Sequence, residues 1–360
     1  MKKILILQNV IPHYRKPLYN ELSRFYEVTV IHSGSRSVES TDLYHEIIIG
    51  AKRYGPFVIQ SRVLKYVSGN DFDVIISMFD IRWVSNILAM LFCSKSAKFI
   101  WWGAWLTNSA VANAIRIYLS KGKYCSIFYT KEAKDQFIEA GVPEEKLFVA
   151  NNTFHVPDRI NCSGSEVKDR ILFIGSLNKR KQVNVLLMAF GSIKEHIHSG
   201  IKLVIIGDGE CLNELKKLAR ELFLADSVEF YGAINDPLTL QEFYKRAIVS
   251  VSYGQAGLGV LQSFAYGVPY ITKQNAISGG EKTNIMDGVN GFIHLHNQKG
   301  LEGKLLLLCS DLAMAKALGQ NAFNYYSEHC TIDNMVEGFR AAIEGAETDN
   351  NEPMRSARNA

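Results

Sequence analysis

Residues 3–8 place four aliphatic side chains in a row between a lysine and a glutamine. The same kind of short, wholly apolar run, closed by glycine, returns at 170–175. A run that is apolar at every position, without alternation, predicts a strand buried on both faces. Each run opens a series in which such strands alternate with segments of helical period. In the first series, strands are expected at 28–32, 74–77, 99–102, 126–129 and 147–150. In the second they are expected at 170–174, 202–206, 228–231, 249–251, 270–272 and 291–293, with helices such as 183–192 and 210–223 between them. Strands covered by helices on both faces pair in parallel. The fold class expected is therefore α/β, two Rossmann-like, doubly wound parallel-sheet domains in tandem.

Between the two series, Pro157, Asn161, Ser163, Gly164 and Ser165 carry turn chemistry and no hydrophobic period. This sets an N-terminal domain at 1–160, a linker at 161–167 and a C-terminal domain at 168–328. Amphipathic helical patterns at 312–325 and 332–344 end the ordered chain, the second within a C-terminal helix at 329–346. The polar stretch 347–360 reads as a disordered tail.

Composition adds exclusions. With 360 residues, 47% hydrophobic and 21% charged, the chain is an ordinary globular protein, neither disordered nor fibrous. No apolar run approaches the roughly 20 residues that cross a bilayer, and Gln8, Asn9, Pro12 and His13 interrupt the first apolar run too early for a leader peptide. Six scattered cysteines without a C-x-x-C pair encode no zinc or redox centre and fit reduced thiols in the cytoplasm. The spaced pairs His196/His198 and His294/His296 lack completing ligands, so no metal is expected. A net charge of +4 is too small to announce nucleic acid, but it is unevenly spread. Residues 1–160 hold 20 Lys and Arg against 14 Asp and Glu, and the remainder holds 20 against 22. A basic first half suits a phosphorylated acceptor or an anionic membrane surface, and equally a plain solvated face.

In doubly wound sheets ligands gather beyond the carboxyl ends of the strands. Four loops there carry candidate chemistry. Gly207-Asp208-Gly209 is a tight strand-to-helix turn that lacks the third glycine of a dinucleotide fingerprint, so a nicotinamide enzyme is disfavoured. Gly175 to Lys181 brings Lys179, Arg180 and Lys181 in front of a helix, where clustered cations oppose the helix dipole unless an anion or solvent compensates them. Gly254-Gln255-Ala256-Gly257-Leu258-Gly259 exposes backbone N–H groups, and Gln262 is expected about two turns in, fit to meet ribose hydroxyls or merely solvent. Gly279-Gly280-Glu281 supplies a carboxylate able to accept from two hydroxyls, or simply to cap a helix start.

Taken together, these loops resemble the retaining glycosyltransferases of the GT-B fold, family 4, which build bacterial polysaccharides and glycolipids. The family pattern runs G-R-L-x-x-x-K-G, a G-x-G turn, E-G-F-G-L with E-A-x-A-x-G-x-P, a glycine-rich loop and D-G-x-N-G. Here it is met by Gly175-Ser176-Leu177 and Lys181, Gly207-Asp208-Gly209, Gly257-Leu258 with residues 262–269, Gly279-Gly280, and 287–291, Asp-Gly-Val-Asn-Gly. The resemblance implies two domains facing across a cleft and metal-independent transfer of a sugar from a nucleotide diphosphate donor. UDP is the first choice of nucleotide, with GDP and dTDP as alternatives, and the nucleotide sugar is a substrate, so no cofactor is expected. It also implies that Lys181 neutralises the leaving diphosphate, with Arg180 standing in for the family arginine, whose position is Ser176. The donor site would comprise Gly175, Gly207, Asp208, Gly209, Gly254, Gln255, Ala256, Gly257, Leu258, Gln262, Gly280 and Glu281. The family's paired glutamates fall on Gly254 and Gln262, a departure in which Gln255 or Glu281 would replace the first. The family's first-domain histidine is also absent from Ile100-Trp101-Trp102-Gly103, and His13 is the positional alternative for orienting the acceptor hydroxyl.

Acceptor contacts are expected from Tyr14, Arg15, Asp80, Arg82 and Trp102, with aromatic faces for sugar rings and Arg15 for a polyprenyl-linked diphosphate. The acceptor implied is a saccharide or polyprenyl-diphosphate-linked saccharide in O-antigen or capsule assembly. The location implied is the cytoplasm, with peripheral contact to the inner face of the plasma membrane. A UDP-sugar epimerase on the same fold and a non-catalytic scaffold are the alternatives.

Overall fold

The computed structural model describes residues 1–345 except 108, 123, 158, 295 and 296. The expected tail at 347–360 and His296 lie outside the described residues. The chain divides into two compact units, Met1–Asn152 with the chain from Ile332 onward, and Thr153–Thr331.

The first unit runs β1 (Lys3–Leu7), α1 (Lys16–Ser23), β2 (Glu27–His32), β3 (His45–Ile48), β4 (Ala51–Tyr54), β5 (Phe57–Gln60), α2 (Val63–Val67), β6 (Val74–Met78), α3 (Val84–Phe92), β7 (Lys98–Trp102), α4 (Ala110–Lys121), β8 (Cys125–Phe128), α5 (Lys131–Glu139) and β9 (Leu147–Val149). Seven of these strands form one parallel sheet in the order β3-β2-β1-β6-β7-β8-β9, and β4 and β5 make a separate antiparallel hairpin. The apolar runs do what their pattern predicted. In β1, Ile4 and Ile6 enter one hydrophobic cluster while Leu5 and Leu7 enter the cluster on the opposite face.

The second unit runs β10 (Arg170–Ile174), α6 (Val183–Ile193), β11 (Lys202–Ile206), α7 (Leu212–Glu221), β12 (Val228–Tyr231), α8 (Pro237–Lys245), β13 (Ala247–Val251), α9 (Gly259–Ala265), β14 (Tyr270–Lys273), β15 (Gly291–His294), α10 (Gln298–Ser310) and α11 (Leu312–His329). Its six parallel strands are ordered β12-β11-β10-β13-β14-β15. Ile171 and Phe173 face one core and Leu172 the other. In both sheets the strand order reverses beside the first strand, at β1/β6 and at β10/β13, and the loops leaving those strands are where a doubly wound sheet takes its ligand.

The unit boundary differs from the expected 161–167 linker. That stretch is held inside the second unit: Cys162 N donates to Tyr266 O at 2.9 Å, Asn161 Nδ2 to Gln320 Oε1 at 2.7 Å, and the buried Lys168 ammonium to Cys162 O at 2.7 Å. Turn residues mark where the chain bends, and here the bend is fastened down. The crossover instead falls at Asn152/Thr153.

The last helix, α12 (Ile332–Glu344), belongs to the first unit. A Cβ on Gly338 would sit 2.3 Å from the Val149 carbonyl oxygen, so only glycine lets α12 approach β9 this closely. The Phe339 ring then meets Trp102 edge to face at 4.9 Å. The helix was expected at 329–346, but its destination was not legible from its period.

Candidate functional site

The loop after β10 and the loop after β13 interlock. Asn178 caps the single turn Lys179–Lys181 through its side chain. Gln182 then takes a left-handed φ of 53°, which turns the chain into α6. Gly254 N donates to Lys181 O at 3.1 Å, and a Cβ on Gly254 would lie 2.1 Å from the Arg180 carbonyl oxygen. Glycine at this position is thus demanded by backbone contact, and a glutamate would require the 179–182 turn to move. From the other side, Ala256 N donates to Ile277 O at 2.9 Å and Ile277 N to Gly254 O at 3.0 Å, tying in the loop that carries Glu281.

The Gly207-Asp208-Gly209 turn locks onto the same place. Leu177 N donates to Asp208 O at 2.8 Å, and a Cβ on Gly207 would come within 1.9 Å of Gly175 O. Gly175, Gly207 and Gly209 hold φ of 149°, 148° and 151°, open to glycine and strained for other residues. The Asp208 side chain accepts from Gly209 N at 2.7 Å, which braces its own turn.

At the centre lies Lys181. Its Nζ donates to Gln255 O at 3.3 Å, and that carbonyl also accepts from Ser252 Oγ at 2.7 Å. Burial pulls the lysine below its ordinary pKa range and Arg180 adds to that, while Glu281 opposes it. Glu281 is buried and accepts from Gly279 N at 3.0 Å and Ser278 Oγ at 3.3 Å, with Gly280 in a left-handed conformation before it. Gln262 is buried on α9. Over Gly257 there is open space. The Arg180 side chain is exposed. The structure therefore brings Gly175, Lys181, Gly207, Gly254, Gln255 and Glu281 into one cluster at the β10/β13 reversal.

One residue there escaped sequence reading, and another was legible only as a letter of the Asp-Gly-Val-Asn-Gly motif. Lys273 Nζ donates to Gln182 Oε1 at 2.9 Å and lies 4.9 Å from the centroid of the Tyr253 ring, adding a second cation beside the turn. Asn290 is fully buried, accepts from Met286 N and donates to Asn284 O, whose own side chain donates to Glu281 O. The Asp-Gly-Val-Asn-Gly motif thereby braces the segment that bears Glu281.

In the first unit the corresponding loops hold His13, exposed in the turn His13–Arg15, with its ring edge to face with Tyr14 at 5.6 Å. Asp80 and Arg82 form a bidentate pair, with Nη2 to Oδ2 at 2.7 Å and Nε to Oδ1 at 3.0 Å. Burial raises the Asp80 pKa, but the guanidinium outweighs it and holds the carboxyl below its usual range.

The expected acceptor contacts at Arg15 and Trp102 are corrected. Arg15 is buried, donating to Tyr129 Oη at 3.0 Å and to Met335 Sδ at 3.5 Å, with its guanidinium 4.9 Å from the centroid of the Trp102 ring. Trp102 has no exposed surface. A cation flanked by aromatic faces is satisfied without an anion, so this pair is core.

Another buried cation is Arg116 on α4, whose guanidinium lies 5.8 Å from the centroid of the Trp105 ring. It is 6% exposed, its Nε is buried without a hydrogen bond, and Nη1 reaches only Thr107 Oγ1 at 3.4 Å. Burial lowers its pKa. Helical period hid it, because α4 buries Arg116 and Ser120 while exposing Val111 and Tyr118.

Residues 163–325 match the family of glycosyl transferases group 1. An uncharacterized glycosyltransferase of Methanocaldococcus jannaschii is 30% identical over 226 residues, 60% of this chain and 55% of that protein, so the chain spans about half of that relative's length. The GalNAc-alpha-(1->4)-GalNAc-alpha-(1->3)-diNAcBac-PP-undecaprenol alpha-1,4-N-acetyl-D-galactosaminyltransferase of Campylobacter jejuni is 25% identical over 85% of this chain and 87% of its own. Among solved structures, Anabaena HepE in complex with UDP and glucose superposes with a TM-score of 0.73 at 15% identity, covering 96% of this chain and 100% of that one. That likeness shows the fold, two Rossmann-like units of the GT-B type.

Proposed function

We propose that the chain transfers a sugar, with retention and without a metal, from a nucleoside diphosphate sugar to a saccharide or polyprenyl-diphosphate-linked saccharide in bacterial cell-surface polysaccharide assembly. UDP is the donor nucleotide of first choice. The observation that carries this reading is Lys181, a half-buried ammonium at the β10/β13 reversal among three glycine-bearing loops. The UDP held by HepE and the undecaprenol-linked acceptor named for the Campylobacter relative support donor and acceptor class.

In the proposed reaction the bond between the anomeric carbon and the diphosphate oxygen breaks, and a bond to the acceptor oxygen forms on the same face. The acceptor's proton passes to the departing diphosphate. Lys181, joined by Arg180, offsets the charge that develops on the diphosphate, a fixed charge already in place when the bond breaks. Glu281 receives hydroxyls of the donor sugar, Gln262 those of the ribose, and His13 orients the acceptor hydroxyl. Position rather than a carboxylate pair supplies the rate, in contrast to glycoside hydrolysis.

Incubation with UDP-, GDP- and dTDP-sugars, with and without a saccharide acceptor, tests it. Transfer releases nucleotide only when acceptor is present and yields a heavier saccharide whose anomeric configuration, read by NMR, matches the donor. An isomerised nucleotide sugar would mark an epimerase, and no turnover a scaffold. The transfer rate is expected to be unchanged by EDTA.

A further inference from the structure

We propose that the outer face of the β4–β5 hairpin is a docking surface for an anionic lipid bilayer. From Ile47 to Asn70 the only charged residues are Lys52, Arg53, Arg62 and Lys65. All four are exposed, and among the described residues none of them is ion-paired. The register pairs Lys52 with Ile59 and Tyr54 with Phe57, and side chains alternate along a strand, so these four residues share one face. That face is the outer one: Val58 and Gln60 are buried beneath it, while Tyr54, Phe57 and Ile59 are 59%, 50% and 37% exposed. Lys52 shares this outer face with the aromatic and aliphatic tip, Arg53 is exposed on the opposite side across from Val58, and Arg62 and Lys65 follow the hairpin in the chain. An apolar tip with exposed cations near it matches the two layers of a membrane surface, acyl boundary and anionic headgroups.

The hairpin is fastened to the loops at the β1/β6 reversal. Val58 N donates to Arg82 O at 2.8 Å, and Gln60 Nε2 donates to Gln8 O at 2.9 Å. A bilayer held by the tip therefore lies beside the loops that carry Asp80, Arg82 and His13, where a lipid-linked acceptor has to arrive. A second copy of the chain is a poorer occupant, since pairing the face with itself sets cation against cation. Docking requires no transfer chemistry, so its test is independent of the proposed activity.

The full chain is floated with vesicles of phosphatidylglycerol and phosphatidylcholine, and with phosphatidylcholine alone, at low and raised salt. Enrichment is expected on the anionic vesicles only, falling as salt rises. Lys52→Gln is expected to weaken partitioning about fivefold. Tyr54→Ser with Phe57→Ser is expected to weaken it about tenfold or more, and Lys217→Gln on the second unit to change nothing. These side chains are exposed, so unchanged melting confirms the fold of each variant. Equal enrichment on neutral vesicles would overturn the proposal. So would hairpin variants that float like the parent, or a concentration-dependent dimer that the variants abolish while the parent ignores lipid.

Discussion

Lys181 is the residue on which the proposed chemistry turns, and its setting makes two expectations specific. Lys181→Ala is expected to lower turnover by about 10²-fold or more, as removal of a preorganised charge from a developing anion does, with an unchanged circular dichroism spectrum. Because burial holds the parent's pKa down, its ammonium discharges at lower pH than an ordinary lysine. Donor affinity should therefore fall early on the alkaline side, and Lys181→Arg should move that limb to higher pH. A titration of donor binding against pH checks the sign. Gly254 gives the complementary expectation. Restoring the acidic residue of the family pattern with Gly254→Glu should impair donor binding rather than improve it, because its Cβ meets the Arg180 carbonyl. Isothermal titration with UDP reads the outcome. The sequence pattern marks this position as a lost carboxylate, whereas the backbone contact shows a loop built around its absence.

At the scale of elements, the strands were the most legible parts, since burial on both faces leaves a continuous apolar run of strand length bounded by polar residues or glycine. The β3 strand and the β4–β5 hairpin were not legible. All four residues of β4 are exposed, and an element that buries nothing leaves no hydrophobic period. The α4 helix failed differently, by turning Arg116 inward and Val111, Ile115 and Tyr118 outward. The α12 helix was visible as a helix, yet its partner was set by Gly338 and Phe339 against β9 and β7. Phe339→Ala is expected to destabilise the first unit by about 3–5 kcal/mol through the cavity left beside Trp102. Chemical unfolding followed by tryptophan fluorescence measures it.

At the scale of the molecule, two units with separate cores share one chain that crosses between them twice, at Asn152/Thr153 and Thr331/Ile332. Lys168 couples the second unit's stability to pH. Burial takes its folded pKa down to about 8, while the unfolded chain keeps the ordinary value near 10.5. Between those values the unfolded state holds the extra proton, so the stability this group contributes is full above the higher value and lost as pH falls through the lower. The span is worth about 3 kcal/mol. Lys168→Met should flatten the rise in stability between pH 8 and 10 relative to the parent, as read from denaturant midpoints.

By itself the sequence determined the strand and helix alternation, the doubly wound class and the glycine-bearing loops at the β10/β13 reversal, because these rest on local signals: continuous burial, glycine where φ is positive, and motif spacing. Tertiary structure alone decided which buried cations are fully partnered and which keep an unmet donor. Arg15 and Arg116 are alike as letters and both are buried, yet one is flanked by aromatic rings and a tyrosine hydroxyl while the other keeps an unmet N–H. It also decided that α12 completes the first unit and that the acid-free hairpin stands at the ligand end of the sheet. Such outcomes depend on contacts between residues far apart in the chain, and no local period records them.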